Sequence, residues 1–220
     1  MAKQILMVVT NHTDMHEGKQ TGIWLSEFAE AYLAFERHGY DVTVASPLGG
    51  AGPIDPGSVD ENTAQEFLDA AKLLANTKKL EDVTADSFAA IFLPGGHGTM
   101  FDLPENTRLQ QLLRDFYEAG KIVAAVCHGP AGLVGATLSD GQPLVAGKRV
   151  NAFTDSEEAA TGLGAYLPFL LESKLRELGA VFVAAPDWSA HVEVDGNLIT
   201  GQNPQSTLAV SEAVLNKLGE

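Results

Sequence analysis

Short apolar segments alternate with amphipathic segments along the whole chain. Residues 5–9, 42–45, 89–93 and 122–126 are apolar runs of the length that forms buried strands. Between such runs, large apolar residues recur at helical spacing, most clearly over residues 24–35. This alternation predicts an α/β fold in which a mostly parallel sheet carries helices on both faces.

The last part of the chain adds a different pattern. Residues 192–199 alternate in polarity around Asp195-Gly196, a pair that favours a tight β-turn. We therefore expect a small β-hairpin beside the parallel strands. No stretch has the composition of an interdomain linker, so we expect a single domain over residues 1–220.

The charge balance argues against nucleic acid as a binding partner. The chain has 14 Lys and Arg against 29 Asp and Glu, a net charge of −15, which repels a phosphate backbone. No apolar run approaches the roughly 20 residues of a membrane helix, and residues 1–9 are too short a start for a secretory signal. We expect a cytoplasmic protein that binds neither nucleic acid nor membrane.

Cys127 is the only cysteine, so the chain can form neither an internal disulfide nor a cysteine-based zinc site. It directly follows the apolar run 122–126, and Gly129-Pro130 then opens a predicted helix. A side chain at such a strand-to-helix turn projects from the carboxyl edge of the sheet, and the helix amino terminus favours a thiolate. Placement alone leaves two interpretations open: a nucleophile, or a small buried core residue.

Two further segments carry candidate chemistry. Gly95, Gly96 and Gly98 surround His97 after the run 89–93, where their backbone N–H groups could bind an oxyanion, although a plain flexible turn is equally compatible. Glu27 lies on the flank of the predicted helix 24–35, neither fully core nor fully solvent, and periodicity alone favours a solvated flank. If partly buried, its carboxyl would have a raised pKa and could exchange protons near neutrality.

Other chemistry is not indicated. His191 and Glu193 match the His-x-Glu pair of glutamine amidotransferase triads, but they lie on the hairpin arm and we interpret them as a surface pair. No group of His, Asp and Glu has metal-ligand spacing, and there is no glycine pattern for a dinucleotide or a P-loop. We expect neither a metal nor a cofactor.

Taken together, the segments resemble one family. The carrying residues are 21–27 (TGIWLSE), 94–102 (PGGHGTMFD), 124–130 (AAVCHGP), 153–157 (FTDSE) and 200–204 (TGQNP). They resemble the ThiJ/PfpI superfamily, which has the class I glutamine amidotransferase-like, flavodoxin-like doubly wound fold. The resemblance is strongest to its branch of heat-shock chaperones and glutathione-independent glyoxalases (glyoxalase III). Members of the family are commonly homodimers, so the resemblance implies a homodimer here as well.

The resemblance implies roles for the candidate residues. Cys127 would be the nucleophile, His128 its neighbour in the site, and Glu27 the carboxyl that hydrogen-bonds the thiol and shuttles protons. Backbone N–H groups around Gly95, Gly96 and His128 would bind the oxyanion.

The resemblance also implies supporting residues. His97 and Gly129 are further substrate-binding candidates, and either Asp155 or Glu157 is the acid that would orient His128. Since a classical cysteine peptidase pairs its nucleophile with a distant histidine, the adjacent Cys127 and His128 weaken a peptidase interpretation.

The implied activity is that of a D-lactate dehydratase-type glyoxalase. It would convert methylglyoxal and similar small 2-oxoaldehydes to 2-hydroxy acids through a hemithioacetal on Cys127. The alternatives are a holdase-type stress chaperone, a cysteine peptidase or amidase, a protein deglycase of the same superfamily, and a redox sensor that oxidises Cys127.

Overall fold

The computed structural model describes residues 4–219. Residues 1–3 and 220, which belong to the expected domain 1–220, lie outside the described residues. The strands in this range are β1 Gln4–Val8, β2 Asp14–Met15, β3 Lys19–Gln20, β4 Asp41–Ser46, β5 Lys78–Lys79, β6 Ala90–Leu93, β7 Ile122–Val126, β8 Arg149–Val150, β9 Val181–Phe182, β10 Val192–Asp195 and β11 Leu198–Gly201. The α-helices are α1 Leu25–Arg37, α2 Gln65–Ala71, α3 Thr99–Asp102, α4 Thr107–Glu118, α5 Asp155–Thr161, α6 Leu171–Glu177 and α7 Thr207–Gly219.

The main sheet has seven strands in the order β10-β11-β7-β6-β1-β4-β5. All neighbours pair in parallel except β10 and β11, which form the antiparallel hairpin with Asp195 opposite Leu198. The long strands follow the flavodoxin order, and the direction of winding reverses between β1 and β6. The predicted doubly wound fold with its small hairpin is confirmed.

Each face of the sheet packs into its own core because side chains alternate along the strands. Leu6 and Val8 of β1 pack with the apolar side chains of α4, whereas Ile5 and Met7 pack with those of α1 and α7. Within residues 4–219, no helix combines the length and apolar character that spanning a bilayer requires.

The segment after Cys127 differs from the prediction. Gly129–Leu133 is a short 3-10 helix, not the first turn of an α-helix. All five of its residues are buried, and just beyond them Gly135 lies so close to the Pro104 carbonyl that a Cβ would come within 2.1 Å of the oxygen. A five-residue 3-10 helix supplies only a small dipole, so the predicted stabilisation of a thiolate by a helix amino terminus is wrong.

Candidate active site

Cys127 lies at a sharp elbow at the carboxyl end of β7. Its φ is +60°, in the left-handed region that non-glycine residues rarely adopt. The elbow is fixed from both sides, because the Cys127 amide donates to Gly201 O at 2.9 Å and its carbonyl accepts from the Phe153 amide at 2.9 Å. Cys127 nevertheless lines the cavity described below, although the residue is only 3% exposed. Backbone strain held this firmly is typical of functional residues.

Glu27 projects from the first turn of α1 toward this elbow and is completely buried, not on the solvated flank that periodicity alone favours. The glycine loop after β6 covers it: the Gly95 amide donates to Glu27 Oε2 at 2.7 Å. The other oxygen, Oε1, has no hydrogen bond of good geometry among the described residues. The carboxyl is nevertheless close enough to the Cys127 thiol for the two groups to share a proton.

His128 connects the thiol to a buried carboxylate. Its Nδ1 lies 3.3 Å from Cys127 Sγ, and its Nε2 lies 2.7 Å from Glu158 Oε2. The second oxygen of Glu158 lies 2.9 Å from His97 Nε2 and also accepts from Thr161 Oγ1 at 2.9 Å. Glu158, on α5, therefore fixes both imidazole rings.

The acid that contacts His128 is thus Glu158, and neither Asp155 nor Glu157. Asp155, at the start of α5, bonds instead to Ser173. Glu157 closes a capping box with Thr154, so its side chain turns back to the helix start and away from His128. The sequence contained a signal for this: the Thr-x-x-Glu pattern of residues 154–157 marks Glu157 as a capping residue and leaves Glu158 free for the site.

The protonation states follow from burial and these contacts. Burial raises the pKa of Glu27 to about 8, although its hydrogen bonds to Cys127 and Gly95 lower it. Burial, together with the neighbouring Glu27 carboxyl, raises the pKa of the Cys127 thiol well above its usual range. At neutral pH, Glu27 is therefore mostly protonated and Cys127 is a thiol.

The pKa values of His128 and Glu158 are shifted in the opposite direction, downward. Burial, followed by repulsion from His97, lowers the pKa of His128 to about 4. Burial of Glu158 favours its neutral form, but hydrogen bonds from His128 and His97 outweigh that effect and hold the pKa of Glu158 below its usual range. Because an ionised carboxylate only accepts, the ring proton of neutral His128 is on Nε2, and Nδ1 is free to accept a proton from sulfur.

The glycine candidates have separate positions. Gly96 has φ +103°, and a Cβ there would lie 2.2 Å from Gly22 O, so this loop position excludes other residues. The Gly95 amide was predicted to bind the oxyanion, but it donates to Glu27 and is therefore not available. Gly129 packs against the end of β6, where a Cβ would lie 2.1 Å from Leu93 O. The remaining predicted oxyanion donors are the amides of Gly96 and His128.

A cavity of about 110 Å³ has Cys127 among its lining residues. Its walls are Trp24, Gly96, His97, Cys127, His128, Phe153, Thr161, Trp188 and Pro204. The sequence predicted Cys127, His128, Gly96 and His97 for this site but not the aromatic wall. Trp24 and Phe153 belong to the motif segments quoted above, so their presence in those segments was the available signal; Trp188 had none.

Two other groupings of His and acidic residues differ from the prediction. His97, His128 and Glu158 place ligand atoms within 4.8 Å of one another, a cluster that their spacing in sequence does not reveal. In this structure their atoms are occupied by hydrogen bonds within the cluster. His191, just before β10, and Glu193 on β10 do bond at 2.9 Å, but Glu193 is 5% exposed and also binds Arg149, so it is not a surface residue.

Comparison with known proteins covers nearly the whole chain. The DJ-1/PfpI family model matches residues 20–217. A glutathione-independent glyoxalase of Saccharomyces cerevisiae is 33% identical, and the alignment covers 93% of each chain. The crystal structure of glyoxalase III from Candida albicans has a TM-score of 0.88 at 29% identity, covering 97% of this chain and 96% of that one. A rapid encystment protein of Francisella tularensis has a TM-score of 0.93 at 34% identity, covering 98% of each chain.

Proposed function

The chain belongs to the DJ-1/PfpI family, and from that premise and its Cys127 site we propose that it is a single-domain glutathione-independent glyoxalase. It converts methylglyoxal and similar 2-oxoaldehydes to 2-hydroxy acids. The observation that carries the proposal is the buried line of contacts from Cys127 Sγ to His128 Nδ1 and from His128 Nε2 to Glu158, beneath a small cavity. Relatives that are named glyoxalases, and that align with this chain over nearly their full length, support the proposal.

The first step forms a hemithioacetal. Cys127 sulfur adds to the aldehyde carbon while its proton moves to Nδ1 of neutral His128, which Glu158 holds in the accepting tautomer. The carbonyl oxygen develops negative charge near the Gly96 and His128 amides and takes the proton of Glu27. Glu27 then becomes a buried carboxylate whose raised pKa makes it an effective base.

The second step moves hydrogen between the two substrate carbons. Glu27 removes the hydrogen of the former aldehyde carbon while protonated His128 gives its proton to the ketone oxygen, which forms an enediol. Glu27 returns the proton to the second carbon, and His128 takes the hydroxyl proton from the first, which leaves a 2-hydroxyacyl thioester on Cys127. Water cleaves the thioester and the two residues regain their starting protonation. One carbon is oxidised as its neighbour is reduced, so the reaction needs no external oxidant or reductant.

The proposed function predicts lactate formation from methylglyoxal in a buffer that contains no glutathione. Lactate should appear in the amount of methylglyoxal consumed, because addition of water is the only net change. An enzymatic lactate assay with parallel measurement of residual methylglyoxal checks the stoichiometry. Loss of methylglyoxal without lactate would indicate simple trapping by protein amines and would contradict the proposal.

The pH dependence of kcat/KM is expected to be bell-shaped. Below about pH 4, His128 becomes protonated and can no longer accept the thiol proton, so activity falls. Above about pH 8, Glu27 loses the proton that it gives to the carbonyl oxygen and its charge opposes the thiolate, so activity falls again. Initial rates measured from about pH 3 to about pH 10, corrected for the rate with Cys127→Ala, give both limits.

An exposed cysteine behaves differently: its rate would keep rising through its ordinary pKa of about 8.5 as thiolate accumulates. A kcat/KM that continues to rise beyond about pH 9 would therefore contradict the assignment of Glu27 as a neutral acid. Glu36→Gln is a control for the loss of an acidic group from α1, because Glu36 is exposed and its carboxylate accepts from Tyr32 on the same helix. It should preserve the wild-type limits.

A further inference from the structure

Trp188 lines the cavity and is partly exposed to solvent. It takes no part in the proton transfers of the proposed mechanism. We propose that Trp188, packed on Phe153, limits the size of the substrate group next to the dicarbonyl. The site then accepts 2-oxoaldehydes that carry hydrogen or a short alkyl group and excludes those that carry an aromatic ring. This inference rests on the proposed function.

The volume of the cavity sets the limit. It holds about 110 Å³, whereas an engineered cavity of ~150 Å³ is known to hold one benzene molecule. The reacting aldehyde carbon must also approach the sulfur to about 3–3.5 Å, which uses part of this space. A small 2-oxoaldehyde fits these two conditions together, and an aryl 2-oxoaldehyde does not.

The positions of the polar groups determine where the substrate's side chain lies. The imidazoles of His97 and His128 are on the side of Glu158, and the predicted oxyanion donors are backbone amides of Gly96 and His128. The cavity walls that remain are mostly apolar: Trp24, Phe153, Trp188 and Pro204. A nonpolar substituent therefore has its favourable contacts on the aromatic side of the cavity.

Trp188 is held in place by the backbone as well as by packing. Its φ is +62°, a strained value for a tryptophan, and its amide donates to Glu157 Oε1 at 2.8 Å. The same Glu157 oxygen accepts from Asn203 Nδ2 at 2.8 Å, and this amide also donates to Ser189 O at 2.9 Å. The ring meets Phe153 edge to face, with 5.5 Å between centroids. A strained residue fixed by a buried carboxylate is a rigid wall, as size selection requires.

Trp188 can be changed without opening the core because the residue is 45% exposed. The experiment compares kcat/KM for methylglyoxal and phenylglyoxal in wild type, Trp188→Ala, Trp188→Gly and Trp188→Phe. Loss of the ring should raise the phenylglyoxal-to-methylglyoxal ratio by at least about tenfold in the Ala and Gly variants, with a smaller rise in the Phe variant. Leu208→Ala removes a similarly exposed apolar side chain from α7 and should leave the ratio unchanged.

The Gly variant separates the ring from the backbone, because glycine relieves the strain of φ +62°, whereas alanine, like tryptophan, retains it. Equal ratios in the Ala and Gly variants support the loss of the ring as the cause. A ratio within about twofold of wild type in both variants would overturn the inference, as would equal losses for the two substrates. Wild-type protein that turns over neither substrate would instead overturn the proposed function itself.

Discussion

Replacing Cys127 with alanine is expected to lower kcat/KM for methylglyoxal by roughly 10⁴-fold or more, the scale of loss when a covalent nucleophile is removed. Every step of the proposed mechanism takes place on a carbon bonded to this sulfur or on its neighbour. No other cysteine exists in the chain that could substitute for it. The measurement is lactate formation at saturating and subsaturating methylglyoxal, compared with wild type.

The fold should survive the change. Alanine removes one buried heavy atom and leaves the elbow's two backbone hydrogen bonds intact, so the free energy of unfolding should change by no more than about 1.5 kcal/mol. Circular dichroism and thermal unfolding provide the control. If the folded variant retains more than about a hundredth of the wild-type rate, the covalent mechanism is wrong.

The same variant separates the enzyme from the chaperone alternative. A holdase depends on exposed apolar surface, and Cys127 contributes almost none because it is 3% exposed. Suppression of aggregation should therefore be equal in wild type and Cys127→Ala if the protein is a holdase. A pair of assays on one protein preparation, lactate formation and light scattering of a heated client, shows which activity depends on the thiol.

Local patterns were sufficient to predict the fold and the position of the candidate nucleophile. The apolar run that became β7 and the Gly-Pro pair after it lie close together in sequence, so the position of Cys127 at a carboxyl edge was predictable. The 3-10 form of Gly129–Leu133 was not, because this buried segment packs closely against Leu93 at the end of β6, far from it in sequence. Helical versus 3-10 geometry in a short segment depends on such packing.

The electrostatic environment of the site was not predictable from local patterns. Helical periodicity predicts which face of α1 packs against the sheet. It does not predict that a loop covers Glu27, because the Gly95 amide of that loop is 68 residues away in sequence. Likewise, the contact between His128 and Glu158 joins the end of β7 to α5 across 30 residues. The resemblance pointed to residues 153–157, but the acid that contacts His128 is Glu158, one residue beyond that segment, because the rotation of α5 determines which of its acids faces His128.

The Glu158→Gln variant tests that assignment, and kcat is expected to fall by about 10³–10⁴-fold. Glutamine is nearly the same size as glutamate, but an amide that donates toward His128 Nε2 requires the ring proton to move to Nδ1. Nδ1 would then donate to Cys127 sulfur and could not accept its proton, so the base is lost while the geometry is retained. KM should change much less than kcat, because Glu158 is not a wall of the substrate cavity.

Asp155→Asn is the matched control, since it makes the same chemical change three residues earlier on α5, where the side chain bonds to Ser173. Its kcat should stay within about threefold of wild type, because Asp155 bonds to Ser173 rather than to His128, and the loss of an acidic group at a helix start costs only about 0.3–1 kcal/mol of stability. If Asp155→Asn instead lost activity and Glu158→Gln kept it, Asp155 would be the orienting acid and the contact of Glu158 with His128 would have no catalytic role. A loss of kcat confined to Glu158→Gln, with both variants folded, assigns the tautomer of His128 to that one carboxylate.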